Sequence, residues 1–210
     1  MSGANAPAPL AAVGALHGKA VFSRRVRVLA GRLAPLLPPG RRVLDIGCGD
    51  GSIANALLGR RPDLAIEGYD VFARPEARIP VTSFDGTHLP VPDGVADAVL
   101  LVDVLHHAED TVTLLRECAR AAPVVLVKDH FADSKLDQRI LRFMDWVGNA
   151  PHGVVLPYHY FSTASWASAL SAAGLREAER SDVPGLYPFP FSLVFGGRLH
   201  FVARLEPTRA

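Results

Sequence analysis

Asp45, Gly47, Gly49 and Gly51 fall within seven residues of one another, at the end of the apolar run Val43-Leu44-Asp45-Ile46. Three positions without a Cβ let a backbone turn take positive φ and let a ligand approach main-chain atoms closely, so this turn, with Cys48 inside it, is a cradle. Asp70 stands nineteen residues beyond Gly51, directly after the short apolar segment 65–69 and before Val71. A carboxylate there can accept hydrogen bonds from two neighbouring hydroxyls, such as those of a ribose. Asp85-Gly86 and Val102-Asp103 end two further apolar segments. Histidine, neutral and basic near pH 7, is the side chain suited to taking a proton. His106, His107, His130, His152 and His159 are the candidates. His130 closes Lys128-Asp129-His130, an abrupt polar run after Val124–Val127, and His107 follows another strand, so these two carry the catalytic expectation. Tyr158-His159-Tyr160 can stack on and hydrogen-bond an acceptor.

The glycine spacing chooses between ligands. A dinucleotide fingerprint G-x-G-x-x-G needs its third glycine where Ser52 stands, which argues against NAD. Asp70 alone does not discriminate, because an NAD-linked oxidoreductase also places an acid at the end of its second strand. The glycine register and the Asp85-Gly86 pair do.

The D-x-G-x-G-x-G form of residues 45–51 resembles the first motif of the class I S-adenosylmethionine-dependent methyltransferases, and the resemblance runs from about Val43 to the C-terminus. Within that family it is similar to the broad small-molecule, type 11-like group that includes quinone-biosynthesis and natural-product tailoring enzymes. The resemblance implies S-adenosylmethionine as cofactor, with Asp45, Gly47, Cys48, Gly49 and Gly51 around its methionine end and a carboxylate facing its ammonium group. It further implies Asp70 at the ribose, Asp85 and Gly86 at the adenine, and Val71, Val102 and Asp103 as further cofactor-binding residues; Val102-Asp103-Val104-Leu105-His106-His107 is similar to the S-x-x-L-H-H-type strand endings of the family. No N/D/S-P-P-Y/F motif and no Pro-Cys nucleophile supports nucleobase methylation. The implied reaction moves a methyl group to an oxygen, nitrogen or carbon of a small apolar or aromatic acceptor. A cofactor-binding scaffold or regulator without turnover stays open beside it, as does an NAD-linked oxidoreductase.

Chemistry of this kind needs a rigid rim. Residues 42–46, 65–69, 80–83, 96–102 and 123–129 read as strands and 52–59, 110–121 and a short piece near 75 as helices. Alternating apolar strands and helices imply an α/β, Rossmann-like doubly wound sheet of seven strands, mostly parallel, with helices on both faces. Strands at 175–182 and 198–205 supply the antiparallel C-terminal part that the resemblance implies. Ligands bind such sheets beyond the carboxyl ends of the strands, where the candidate residues lie. Lys19–Leu37 reads as a leading helix stopped by Pro38-Pro39-Gly40, its Arg24, Arg25, Arg27 and Arg32 a solvated face. Helices at 134–148 and after Ser162 enclose an irregular stretch, so a substrate cap is expected at about 130–161. The apolar loop Pro184–Phe195 is expected to line a pocket or to pack. Residues 1–18, rich in Ala, Pro and Gly, are expected to be a mobile tail before one domain at 19–210.

Composition bounds the rest. At 210 residues and 49% hydrophobic, one domain can bury roughly 70% of its unfolded surface. A net charge of +1 provides no general field to draw in nucleic acid or an anionic membrane, so a small-molecule partner is expected. No run approaches the length of a membrane span, and the N-terminus lacks the basic start of a signal peptide. Cys48 and Cys118 belong to no disulfide framework or zinc pattern, which suits the cytoplasm, and no metal is assigned.

Overall fold

A computed structural model describes residues 8–40, 42–149 and 158–208; His152 and the centre of the expected cap lie outside the described residues. Seven strands form one sheet in the order β3-β2-β1-β4-β5-β7-β6. They are β1 Arg42–Ile46, β2 Ala65–Asp70, β3 Val81–Ser83, β4 Ala98–Val102, β5 Val125–His130, β6 Leu175–Asp182 and β7 His200–Pro207. The first five pair in parallel, and β7 runs antiparallel between β5 and β6.

Alternation along the central strands sends successive side chains to opposite faces, and both faces are apolar. Leu44 and Ile46 of β1, Val99 and Leu101 of β4 and Val125 and Val127 of β5 pack against α3 (Thr111–Ala121) and α5 (Thr163–Ala173) through Leu114, Leu115, Cys118, Trp166 and Leu170. Val43, Ala98, Leu100 and Leu126 face the other way, onto Leu29 and Leu33 of α1 (Ala8–Leu33) and Leu57 of α2 (Ser52–Leu58). Asp110 caps α3 by accepting from the Thr113 N–H, and Ser162 with Ser165 forms a capping box on α5, which Gly174 ends at φ 70°. The fifth helix, α4 (Lys135–Asn149), stands outside these layers and seats Leu141 against Ala132 and Leu199.

Three local expectations differ from the fold. The leading helix begins at Ala8 rather than Lys19, because proline is tolerated in a first turn and alanine has the highest helix propensity. It ends at Leu33 because Pro35 disfavours helix at the residue before it and has no N–H to carry the ladder on, leaving a turn in which the Ala34 N–H still reaches the Ala30 carbonyl at 3.0 Å, before the Pro38-Pro39 pair is reached. No helix forms near 75, where Pro75 acts the same way on Arg74; that segment lies over the glycine turn, the Arg78 N–H donating to the Asp50 carbonyl at 2.9 Å. The β6 edge is mostly exposed and charged, with a register shift between Glu177 and Glu179, which discourages pairing with another chain. No described helix is long and apolar enough to cross a membrane.

Candidate active site

The glycine turn leaves β1 with its glycines in different roles. Gly47, at φ 67°, donates its N–H to the Tyr69 carbonyl at 2.6 Å, and a Cβ there would lie 2.5 Å from Val104 Cγ2. It is glycine for packing. Gly49, at φ 59°, has nothing within 4 Å of an added Cβ, so it borders open space, the opening a ligand requires. The Asp70 carboxylate fastens the turn, Oδ2 accepting from the Gly49 N–H at 2.8 Å and Oδ1 from the Phe72 N–H at 2.9 Å. Asp45 is buried, and burial followed by the nearby Asp70 charge pushes its carboxyl up to about 7. A buried carboxyl with no ion-pair partner among the described residues suits an incoming ammonium group. Burial, then Asp45 and Asp70, push the Cys48 thiol up to about 12, which leaves it unreactive.

Beyond β2 and β3 the rim is apolar and open. Val71 and Phe72 are 65% and 71% exposed, and Gly86 at φ 87° faces Val71. Asp85 closes its own turn, Oδ1 accepting from the Thr87 and His88 N–H groups at 2.8 and 2.7 Å, and these bonds hold its carboxyl below the usual range. Val102 leads to Asp103, held at φ 57° and ion-paired with both Lys128 and Arg25. Arg25 therefore turns inward from α1, where its sequence neighbourhood had suggested a solvated face.

At the ends of β4 and β5 the structure gathers a second constellation. The short 3-10 turn Leu105–His107 lays His106 against β5, its Nδ1 2.7 Å from Asp129 Oδ1. Asp129 Oδ2 accepts from the Leu105 N–H at 3.1 Å, and Oδ1 also accepts from the main chain and Nδ1 of His130 at 2.9 and 3.2 Å. The two histidines set against it and these hydrogen bonds hold Asp129 well below the usual carboxylate range despite its burial. His106, Asp129 and His130 are residue types that ligate metals and their donor atoms come within 4.8 Å, but those donors are turned on one another in hydrogen bonds. His106 is buried, and its Nε2 faces α4, 3.9 Å from Asp145 Oδ2, the carboxylate to which Tyr160 donates its hydroxyl.

The two sequence-expected bases are placed differently. His130 Nε2 lies 3.3 Å from Lys128 Nζ and its Nδ1 faces Asp129, so both nitrogens are engaged, and burial first, then Lys128, lowers its pKa to about 3. His107 falls to about 4, mainly by burial and then by His106, and its Nδ1 has no hydrogen-bond partner among the described residues. Imidazoles so reluctant to charge are poor proton acceptors. Of the expected acceptor-binding trio, Tyr160 stacks 6.0 Å from His106, Tyr158 lies under Arg142 at φ 57°, and His159 is exposed. His200 and Asp145 join the cluster with no sequence signal beyond residue type.

These shifts set a pH dependence. Unfolded, His130 takes up a proton near 6.5, whereas folded it waits until about 3. Between those values the unfolded chain binds the extra proton, so stability falls on acidification, by about 1.4 kcal/mol per pH unit for one group. His107 and His200 shift in the same direction, while Asp45 opposes them below about 7 because the folded state holds its proton. The expected result is a thermal midpoint that drops steadily from about pH 6.5 to about pH 4.5. Calorimetry across that window checks it; a flat midpoint would mean that these imidazoles are charged in the fold.

Comparison with known proteins identifies the family. A family described as a methyltransferase domain matches residues 20–179. A protein of Mycobacterium tuberculosis named as a probable S-adenosylmethionine-dependent methyltransferase is 33% identical over 102 residues, covering 46% of this chain and 37% of that one. The 27-O-demethylrifamycin SV methyltransferase of Amycolatopsis mediterranei is 31% identical over 107 residues, covering 44% and 39%. The matched stretch thus spans about two fifths of the length of these curated relatives. The methyltransferase solved in complex with the Trm112 methyltransferase activator of Haloferax volcanii shares the fold at TM-score 0.67 and 18% identity, covering 91% of this chain and 93% of that one.

Proposed function

The chain belongs to the class I S-adenosylmethionine-dependent methyltransferase family, and from that premise we propose that it methylates an oxygen, nitrogen or carbon of a small apolar or aromatic acceptor, with His106 as general base. The observation that carries the reading is the His106 Nδ1 to Asp129 Oδ1 contact of 2.7 Å, beside the rim that the glycine turn opens. When bound, S-adenosylmethionine supplies a methyl group on a sulfonium centre, ready for in-line displacement. Gly49 and the buried Asp45 fit its methionine end, Asp70 its ribose, and Val71, Phe72, Asp85 and Gly86 its adenine.

The acid-base part follows from tautomers. An ionised Asp129 accepts the Nδ1 proton of His106, so the lone pair sits on Nε2, directed toward the side of Asp145 and Tyr160. As the acceptor attacks, its proton passes to Nε2, and the imidazolium that forms is stabilised by Asp129. The apolar side of the acceptor is met by α4 and the loop after β6: Phe143 stacks 6.3 Å from Phe195, and Tyr187 lies 5.8 Å from His200. Such walls exclude water from the displacement and favour an aromatic acceptor.

Calorimetric titration with S-adenosylhomocysteine, with NAD in parallel, tests the cofactor half, and methyl release across a panel of phenols, quinols and amines tests the transfer. Binding of NAD alone sinks the reading, and binding of S-adenosylhomocysteine without turnover on any of these acceptors favours a non-catalytic scaffold. Two further results are expected. Asp70→Ala should weaken S-adenosylhomocysteine by about 1.5–3 kcal/mol, through lost charged hydrogen bonds to the ribose and a loosened Gly49; unchanged affinity would remove Asp70 from the site. Asp45, near half protonated at neutral pH, should release about half a proton when the cofactor ammonium arrives. Titrations in buffers of different ionisation enthalpy measure that release, and Asp45→Asn should abolish it.

A further inference from the structure

We propose that Lys128 is a positioning residue for the base: its ammonium group fixes the proton on each imidazole between the loop after β6 and Asp129, and so reserves the Asp129 carboxylate for His106. The proposal rests on the reading of His106 as base. Lys128 is fully buried at the carboxyl end of β5, ion-paired with Asp103 from the end of β4. Its Nζ also lies 3.3 Å from His130 Nε2 and 3.3 Å from His200 Nδ1 on β7. Burial first, then the Arg25 charge of α1, lowers its pKa well below the ordinary lysine value, against the pull of Asp129 and of Asp145 on α4, so the proton is kept by the Asp103 ion pair and the two imidazole acceptors.

The far ends of both imidazoles decide where the protons sit. His130 Nδ1 faces Asp129 Oδ1 at 3.2 Å, and His200 Nε2 faces the Phe195 carbonyl at 3.2 Å. Both partners only accept, so those nitrogens carry the hydrogens, and His130 Nε2 and His200 Nδ1 must accept from Lys128. Nζ is thus ringed by three acceptors, matching the three donors of an ammonium and leaving no place for a neutral amine lone pair. The chain of donation runs from Lys128 two ways, through His200 to the loop carbonyl and through His130 to Asp129, where it meets the Nδ1 proton of His106. Burial and the Lys128 charge keep His130 neutral, in agreement with its lowered pKa. Without the ammonium, His130 would lie between two carboxylates, Asp103 Oδ1 at 3.5 Å and Asp129 Oδ1 at 3.2 Å, and would take up a proton. Asp129 would then be neutralised by His130 before His106 could use it.

The test needs no acceptor at first. In protein labelled with 15N-histidine, long-range proton–nitrogen correlation spectra should show His130 as the Nδ1–H tautomer and His200 as the Nε2–H tautomer, neither titrating between pH 8 and pH 5. Lys128→Met should let His130 titrate within that range, and Lys128→Arg should restore the parent behaviour. With an acceptor in hand, kcat of Lys128→Met should fall more steeply on acidification than that of the parent, in step with the protonation of His130 followed in the spectra. A parent protein whose His130 titrates near 6.5, or a folded Lys128→Met protein whose His130 signals do not move, overturns the proposal. Titration with S-adenosylhomocysteine on the same samples separates the two readings. The expected tautomers in a protein that binds no S-adenosylhomocysteine sink methyl transfer alone, whereas tight binding with His130 charged at pH 6 sinks the role of Lys128 alone.

Discussion

A His106→Gln protein is expected to bind S-adenosylhomocysteine within about threefold of the parent and to transfer methyl groups about 10²–10⁴-fold more slowly. The binding half follows from separation of parts: Gly47, Gly49 and Asp70 are fastened to one another and to β2, with no bond to the histidine. The rate half follows from what glutamine retains and what it loses. It fills similar space and its amide can still donate to Asp129, so the Leu105 and His130 N–H bonds to that carboxylate survive. It has no nitrogen able to accept a proton, so the acceptor must lose its own to water or keep it through the displacement. Single-turnover methyl release, followed with and without saturating acceptor, measures the loss directly. A rate within tenfold of the parent would mean that the acceptor ionises unaided, and the base assignment would fall.

Replacing Asp129 by alanine should cost about 3–5 kcal/mol of folding free energy, because one partner of a buried charged network is removed and the rest stay buried. The His106 Nδ1–H, the His130 Nδ1–H and the Leu105 N–H would lose their acceptor, and Lys128 would lose one of its countercharges. For a chain of this length the thermal midpoint should drop by roughly 6–20 °C. Asp129→Asn should fall between the two, its amide oxygen still serving one or two donors. Urea unfolding with an unchanged slope would place the loss in the folded state. A midpoint that does not move would show that water enters the cluster and satisfies the orphaned donors.

The sheet and the glycine turn were legible because their signals are local. The continuous apolar runs in 98–102 and 125–127 and the glycine spacing after Ile46 need only a few neighbouring residues, and the structure forms the strands and the turn there. Boundaries failed where a single proline outweighed periodicity, at Pro35 and Pro75. The acid-base cluster was only half legible. Lys128-Asp129-His130 announced itself as a polar run, but which of two adjacent histidines faces it depends on the 3-10 turn after β4, where only a residue of rotation separates His106 from His107. His200 meets Lys128 across 72 residues of chain, and Arg25 reaches Asp103 from a helix whose register against the sheet no local pattern fixes.

The position of β7 has a consequence for how the protein is made. Until residues 200–207 have left the ribosome, β5 is an open edge and β6 has no strand to pair with, although both precede β7 in synthesis. An unpaired edge whose first half, Val125–Val127, is apolar is a template for pairing with other chains, so the nascent protein passes through a stage at which it needs shelter. The same strand brings His200, so Lys128 acquires its third acceptor in the step that closes the sheet. Order in the cluster and completion of the fold therefore arrive together, and a chain stalled before β7 would carry a formed glycine turn with an unfinished proton path.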